Sequence, residues 1–381
     1  ATEASAISVI GSMITILRSK HDGIEMEFLV RQATLFGKNF NPIVRALRVG
    51  VIGCGGTGSA VVSLLARLGV GYIALVDNDT IDTTNLNRVH GSRAADVSAG
   101  LSKVDILARE IDAAGLGNQV VTRKAWVGDP TLRIVDVGGT EPGRVWPITL
   151  GSPATDIDLS PDGTRVYAMQ REAKRLSIVD VPADAFAPSG VETKDLTGAA
   201  VGSFVLSKDG RRALLFTNAT IDERITMIKL DEPGYPHVTW PLKKSVRTVG
   251  ISPNGTSAIV INAKMAGTPT SASTVDEYID RSYGYTLLDL ASGFGKLQIT
   301  PVDPGSFVYA PDGSKAYVAL DGGDAVTATR SLQVVTTQTG VVITKQLGSP
   351  PSAVGILPGA GEAFTAQRHP LGRVTFVDLQ T

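Results

Sequence analysis

Apolar residues fall into two rhythms along this chain. Between Arg48 and Asp77 they come in blocks: Val49 to Ile52, then Ser59 to Leu68, then Tyr72 to Val76. A glycine cluster, Gly53-Cys54-Gly55-Gly56-Thr57-Gly58, separates the first two blocks, and the third ends on Asp77. Short apolar runs bounded by glycine or acid read as buried strands, and the longer run as a helix. The predicted order is strand, glycine turn, helix, strand. Lys103 opens a further amphipathic segment with Val104, Leu107 and Ile111 on one face. The start of the chain is mildly apolar, and residues 1–30 read as an N-terminal helical segment.

From about residue 132 the rhythm shortens to alternating runs separated by turns. One turn recurs: Ser160-Pro161-Asp162-Gly163, Ser207-Lys208-Asp209-Gly210, Ser252-Pro253-Asn254-Gly255, Ala310-Pro311-Asp312-Gly313 and the degraded Pro358-Gly359-Ala360-Gly361. The final glycines are 47, 45, 58 and 48 residues apart. Pro, Asp or Asn, and Gly at set offsets make tight turns. An apolar strand follows each turn, beginning at Arg165, Ala213, Ala258, Ala316 and Ala363. A second comes later, at Leu176, Ile225, Tyr285, Leu332 and Val374. A repeat near this length, carrying about four strands, predicts a β-propeller with about five visible blades over 132–381. Five blades are fewer than such rings commonly hold. Leu132 to Val137 carries the later-strand signature and is expected to pair in the propeller, supplementing the last blade near Val374 to Leu379. Lys264 to Arg281, rich in Ser, Thr and Gly and then acidic, reads as a loop over one face.

The glycine cluster is the candidate chemistry. Glycines let backbone approach phosphates, and a helix N-terminus adds N–H donors and partial positive charge. Asp77, 24 residues past Gly53, stands where a ribose hydroxyl would be held. Downstream, Asn85, Arg88 and Lys103 add an amide, a guanidinium and an ammonium. A dinucleotide needs no such set, whereas a triphosphate needs donors beyond one helix terminus.

Taken in order, Arg31-Gln32 with Phe36-Gly37, Gly53-x-Gly55-Gly56-x-Gly58-Ser59, Asp77-x-Asp79, Asn85-Leu86-x-Arg88 and Gly100-x-x-Lys103 resemble the ThiF/MoeB/HesA superfamily. These are relatives of the ubiquitin-activating enzymes. The resemblance covers about 31–126 and implies an incomplete Rossmann-like α/β domain. It also implies ATP with Mg²⁺ and adenylation of the C-terminal carboxylate of a ubiquitin-like or sulfur-carrier protein. By the same resemblance Gly53, Gly55, Gly56 and Gly58 surround the phosphates, and Asp77 holds the ribose. Asn85, Arg88 and Lys103 hold the triphosphate, and Arg31 reaches a phosphate, in the family often across a homodimer interface. Fixed cations suit the charge that builds on phosphate oxygens during such a reaction. The family's later features are not matched: no acid for Mg²⁺ stands out after Trp126, and Asp136, or Glu141 with Arg144, fits that role poorly. The turn and strand signatures of 132–381 resemble bacterial YVTN-type and WD-like propellers, which implies architecture and little about activity.

Composition narrows the partners. The net charge is −1, with 36 basic residues in no clustered run, which argues against nucleic acid and anionic membranes. Cys54 alone among 381 residues excludes an intramolecular disulfide and a thiolate zinc cluster. His90, His237 and His369 lack metal-ligand spacing. An adenylating module points to the cytoplasm, whereas propellers of this kind are often exported. The expectation is therefore a multidomain, composite chain: a partial ATP-binding module joined to an all-β propeller. Its alternatives are a non-enzymatic interaction scaffold and a composite without coherent activity.

Overall fold

A computed structural model describes residues 14–18, 29–125, 130–135, 144–181, 183–321, 330–357 and 360–379. Contacts divide the chain into two units, Ala1–Thr193 and Lys194–Thr381. The change of rhythm near residue 132 is followed by a two-stranded sheet and a four-stranded sheet, and the division falls within the last strand of the second of these.

The first unit opens with a four-stranded sheet, β1 (Ile14–Arg18), β2 (Leu47–Ile52), β3 (Tyr72–Val76) and β4 (Gln119–Arg123), in that order. β2, β3 and β4 run parallel, as crossover helices require. α1 (Val30–Phe36) and α2 (Phe40–Arg45) precede β2, and α3 (Gly56–Leu68) links β2 to β3. α4 (Ala94–Ser98) and α5 (Lys103–Ala113) lie between β3 and β4. Val49, Val51, Ile73 and Leu75 of the sheet bury one core with Val62 and Ala66 of α3 and Val104, Leu107 and Ile111 of α5. Each such Val, Ile or Leu contributes about 1.5–3 kcal/mol when fully buried. β1 corrects the expected N-terminal helix. Residues 14–18 pair antiparallel with β2, Ile14 opposite Val51, and the run Ile14-Thr15-Ile16 is β-branched and favours a strand.

Among the described residues β4 pairs only with β3, so the parallel sheet ends there. The next strand, β5 (Thr131–Val135), pairs antiparallel with β6 (Val145–Thr149) in a sheet of two. It therefore leaves the α/β sheet as expected. It does not join the last sheet, because β6 offers an antiparallel partner far closer in sequence. Trp126, Asp136 and Glu141 lie outside the described residues. β7 (Asp156–Leu159), β8 (Arg165–Gln170), β9 (Arg175–Asp180) and β10 (Glu192–Asp195) form the next sheet, with the short α6 (Ala183–Phe186) after β9.

The second unit repeats this antiparallel arrangement. β11 (Ser203–Leu206), β12 (Arg212–Phe216), β13 (Arg224–Lys229) and β14 (His237–Pro241) make one sheet. β15 (Val246–Ile251), β16 (Ser257–Asn262), β17 (Tyr283–Asp289) and β18 (Gly295–Thr300) make the second. β19 (Asp303–Tyr309), β20 (Lys315–Asp321), β21 (Arg330–Thr336) and β22 (Val342–Gln346) make the third. β23 (Pro351–Leu357), β24 (Glu362–Gln367) and β25 (Arg373–Asp378) make a last sheet of three. This half of the chain is thus built mainly of antiparallel sheets, and no closed propeller is detected among the described residues.

The recurrent turn joins first to second strand, and its residues each have a task. The Ser160 hydroxyl donates to Asp162 Oδ1 at 2.6 Å and accepts from Arg165 N at 2.9 Å. Ser207 with Asp209 and Ser252 with Asn254 repeat the pattern. Gly163 closes the turn at φ 75°, a left-handed conformation costly for any residue with a Cβ. The segment 264–281 is not wholly loop. It holds α7 (Val275–Arg281), whose N-cap Thr274 accepts from Glu277 N in a capping box. Buried Lys244 donates from Nζ to the carbonyls of Ile279 and Asp280 at 2.5 and 3.0 Å, tying down the end of that helix.

Candidate functional site

The site forms where β2 and β3 end, at the mouth of the α/β sheet. Gly53 leaves β2 at φ 84°, and its N–H donates to Val76 O at 2.9 Å, so the turn hangs on the tip of β3. A Cβ on Gly58 would lie 1.7 Å from Gly53 O, so only glycine lets α3 begin this close to the strand. Gly55 is the N-cap and has no side-chain cap bond. The first amides of α3 therefore stay free for a ligand, with the helix dipole behind them. Nothing within 4 Å would meet a Cβ on Gly53 or Gly55. The space over the turn is open.

Asp77 stands half-buried at the end of β3. Its carboxylate accepts from Cys54 N at 2.5 Å and from Asp79 N at 2.7 Å. One acid thus braces the glycine turn and starts the next loop. Cys54 has no exposed surface; burial first, then the nearby Asp77 carboxylate, pushes its thiol up to about 12. A neutral buried thiol is a packing group, not a nucleophile.

The loop from Asn78 to Ser102 folds back over this mouth. A small core of Ile81, Val89 and Ile106 holds it on α5. The N–H of Lys103 donates to Asp79 O at 3.1 Å. Ser59 ties the loop to α3: its hydroxyl accepts from His90 N at 3.1 Å and lies 3.1 Å from Gly56 O and 3.4 Å from Arg88 O. The aliphatic stem of Arg88 consequently runs beside Gly56, 3.4 Å from where a Cβ would stand, and its side chain is exposed at the head of α3. Asn85 is 4% exposed, and its Oδ1 is buried without a hydrogen-bond partner. A buried amide with an unmet polar atom is costly and fits a group that completes its bonding on a ligand. Lys103 is 8% exposed and its Nζ lies 2.6 Å from Asp79 Oδ2.

Gly53, Gly55, Gly56, Gly58, Asp77, Asn85, Arg88 and Lys103 thus come together on one framework. Arg31 does not. It is exposed on α1, and its neighbour Gln32 donates from Nε2 to Leu68 O at the far end of α3. That end is about 18 Å from the glycine turn along a helix of this length. Asp79 and Ser59 are contained in the motif, but their contacts with Lys103 and with the Arg88–His90 loop emerge only from the geometry. No group of three or more His, Cys, Asp or Glu side chains able to hold a metal occurs among the described residues. The residues present fit a nucleotide's phosphates and ribose; the acid that would hold Mg²⁺ is not among those described.

Residues 29–137 match the ThiF family. Ubiquitin-like modifier-activating enzyme 5 of Drosophila willistoni is 32% identical over 105 residues, 26% of this chain and 25% of that protein. The tRNA threonylcarbamoyladenosine dehydratase of Bacillus subtilis is 35% identical over 101 residues, 26% of this chain and 39% of that protein. Among solved structures, the E. coli tRNA N6-threonylcarbamoyladenosine dehydratase in complex with ATP is 30% identical. That match covers 26% of this chain and 41% of the other, at a TM-score of 0.25. The chain spans between about a quarter and two-fifths of the length of these relatives, and the matches lie in its N-terminal part.

Proposed function

We propose that residues 29–125 bind ATP, with the β- and γ-phosphates at the head of α3 and the ribose at Asp77. The observation that carries this reading is the convergence of Asp77, Asn85, Arg88 and Lys103 around the uncapped start of α3. Arg88 and Lys103 supply the fixed positive charge that a triphosphate requires. Asp77 has lone pairs left after its two backbone bonds, enough to accept from ribose hydroxyls. When Mg²⁺ accompanies the nucleotide it neutralises phosphate charge; Arg88 and Lys103 orient the phosphates. The chemistry to which such a site lends itself is attack of a carboxylate on the α-phosphate, and the partner would be the C-terminus of a ubiquitin-like or sulfur-carrier protein. Arg31, exposed and remote from its own glycine turn, suits a role toward the nucleotide of a second copy. The repeated four-stranded sheets are proposed as propeller blades.

A second reading follows from β5. A strand satisfies its backbone in one sheet, and β5 spends its bonds on β6 rather than on β4. The protein would then bind ATP without efficient turnover, and the sheets would carry the interaction function. Photolabelling with 8-azido-ATP tests the primary reading. Label should map within residues 48–103 and be displaced by ATP but not by NAD. Label confined to residues 130–379 would sink it.

A further inference from the structure

The turn between β15 and β16 differs from its sisters in one residue. Where Ser160-Pro161-Asp162-Gly163, Ser207-Lys208-Asp209-Gly210 and Ala310-Pro311-Asp312-Gly313 carry an aspartate, Ser252-Pro253-Asn254-Gly255 carries an asparagine. It is the only Asn-Gly pair in the 381 residues. Such a pair has a chemistry of its own. Glycine puts no side chain beside its amide nitrogen, so nothing shields that nitrogen from the carbon of the preceding carboxamide.

The amide has a task in the fold that a carboxylate cannot perform. Its Nδ2 donates at 2.9 Å to the backbone carbonyl of Asp312, in the turn between β19 and β20. The two turns touch there: a Cβ on Gly313, itself at φ 74°, would lie 2.5 Å from Asn254 Cγ. Asn254 thus clips one sheet to the next, whereas Asp162 and Asp209 accept from hydroxyl and N–H groups of their own turns. The closed turn also withholds both reacting groups. Asn254 Oδ1 accepts from the Ser252 hydroxyl at 2.7 Å, the Thr256 hydroxyl at 2.8 Å and Thr256 N at 3.2 Å. Gly255 N spends its hydrogen on Ser252 O at 2.8 Å. Ser252 is fully buried and its hydroxyl accepts from Ser257 N at 3.0 Å, which fastens the turn to the sheet.

We propose that Asn254-Gly255 is a deamidation site locked by the fold, silent while this turn is closed and reactive when it opens. In the open turn Gly255 N bonds to Asn254 Cγ, the Cγ–Nδ2 bond breaks, and the proton from Gly255 N leaves with Nδ2 as ammonia. Water then opens the cyclic imide at either carbonyl. One opening gives aspartate; the other gives isoaspartate, in which the backbone runs through the side-chain carbon. Neither product donates to the Asp312 carbonyl, and both set an anion against it. Isoaspartate also lengthens a turn whose closing glycine sits at φ 68°. A chain that has opened at this joint therefore carries a covalent mark and closes less firmly. The reaction does not depend on nucleotide.

Peptide mapping by mass spectrometry tests it on the full chain, held in mildly alkaline buffer with and without urea. In urea Asn254 should deamidate far faster than Asn218 and Asn262, which precede alanine. The folded chain should react at Asn254 at least about tenfold more slowly than the denatured one, because reaction then waits on the open population. Thr256→Val removes a hydroxyl donor from Oδ1 and should speed the folded reaction while leaving the denatured rate unchanged. Where that variant does not fold, the wild-type comparison decides alone. Deamidated chain, separated by ion exchange, should melt below the unmodified chain. Equal rates at Asn254 with and without urea, or no reaction in either, overturn the proposal. So does a folded Thr256→Val that reacts no faster, or a deamidated chain that melts with the unmodified one.

Discussion

On the proposed reading Asp77 and Arg88 divide the work of holding a nucleotide, and single substitutions should separate them. Arg88, which lies beside Gly56 at the head of α3, is proposed to meet phosphate. Arg88→Ala should weaken ATP by roughly 10- to 100-fold, the loss of a charged hydrogen bond worth about 1.5–3 kcal/mol, and leave adenosine almost unchanged. Asp77→Ala should weaken both ligands, because ribose is common to them and because the Cys54 N–H then loses its acceptor. Calorimetric titration of ATP and adenosine against both variants checks the pattern; equal losses for Arg88→Ala would return that residue to an ordinary solvated loop. The positions of these residues in the motif were readable from spacing alone. The pairing of Lys103 with Asp79, 24 residues apart and 2.6 Å in space, was not, because a side-chain partner set by a folded loop leaves no periodic trace in the chain.

At the scale of elements, the glycine turn and the repeated hairpin turns are the rigid parts. Gly58→Ala would force a Cβ into Gly53 O, and the resulting shift of α3 should cost about 1–3 kcal/mol and abolish ATP binding. Gly55→Ala, with open space around it, should be far milder; chemical denaturation of the two variants compares them. The hairpin turns carry a pH signature. The Ser160 hydroxyl first, with Thr164 donors, holds the Asp162 carboxyl down at about 2. Ser207 does the same in direction for Asp209, and the Ser314 N–H and hydroxyl for Asp312. Depressed carboxylates contribute stability that is complete above their ordinary value near 3.9 and is lost as pH falls toward the folded value. Thermal unfolding temperature should therefore drop as pH falls from about 4 to about 2. Asp162→Asn should be flatter there, and an unchanged slope would remove these turns from the account. Most of these elements were legible in the sequence, because turn chemistry and apolar alternation are local. Three were misread where the deciding contact is distant or the signal is mixed. β1 depends on the edge of β2. β5 has a strand signature that cannot name its partner. α7 begins with a proper capping box at Thr274 and Glu277 but sits in a Ser/Thr/Gly-rich stretch that reads as loop.

For the whole molecule, the departure of β5 from the parallel sheet bears on what chemistry could follow the proposed binding. With the sheet ending at β4 among the described residues, ATP–pyrophosphate exchange in the presence of a carrier-protein C-terminal peptide should stay near background. Robust exchange would show that the α/β unit completes its reaction despite that topology, and would promote the full adenylating reading over nucleotide binding alone. No helix among the described residues is long and apolar enough to cross a membrane. The central claim rests on the choice of nucleotide, and one measurement reaches it most directly. Isothermal titration of the full chain with ATP and, separately, with NAD should give saturable ATP binding that Arg88→Ala weakens, and NAD binding weaker by at least about tenfold, since NAD carries fewer phosphate charges for Arg88 and Lys103 to meet. Tight NAD binding with no heat from ATP would contradict the account at its root.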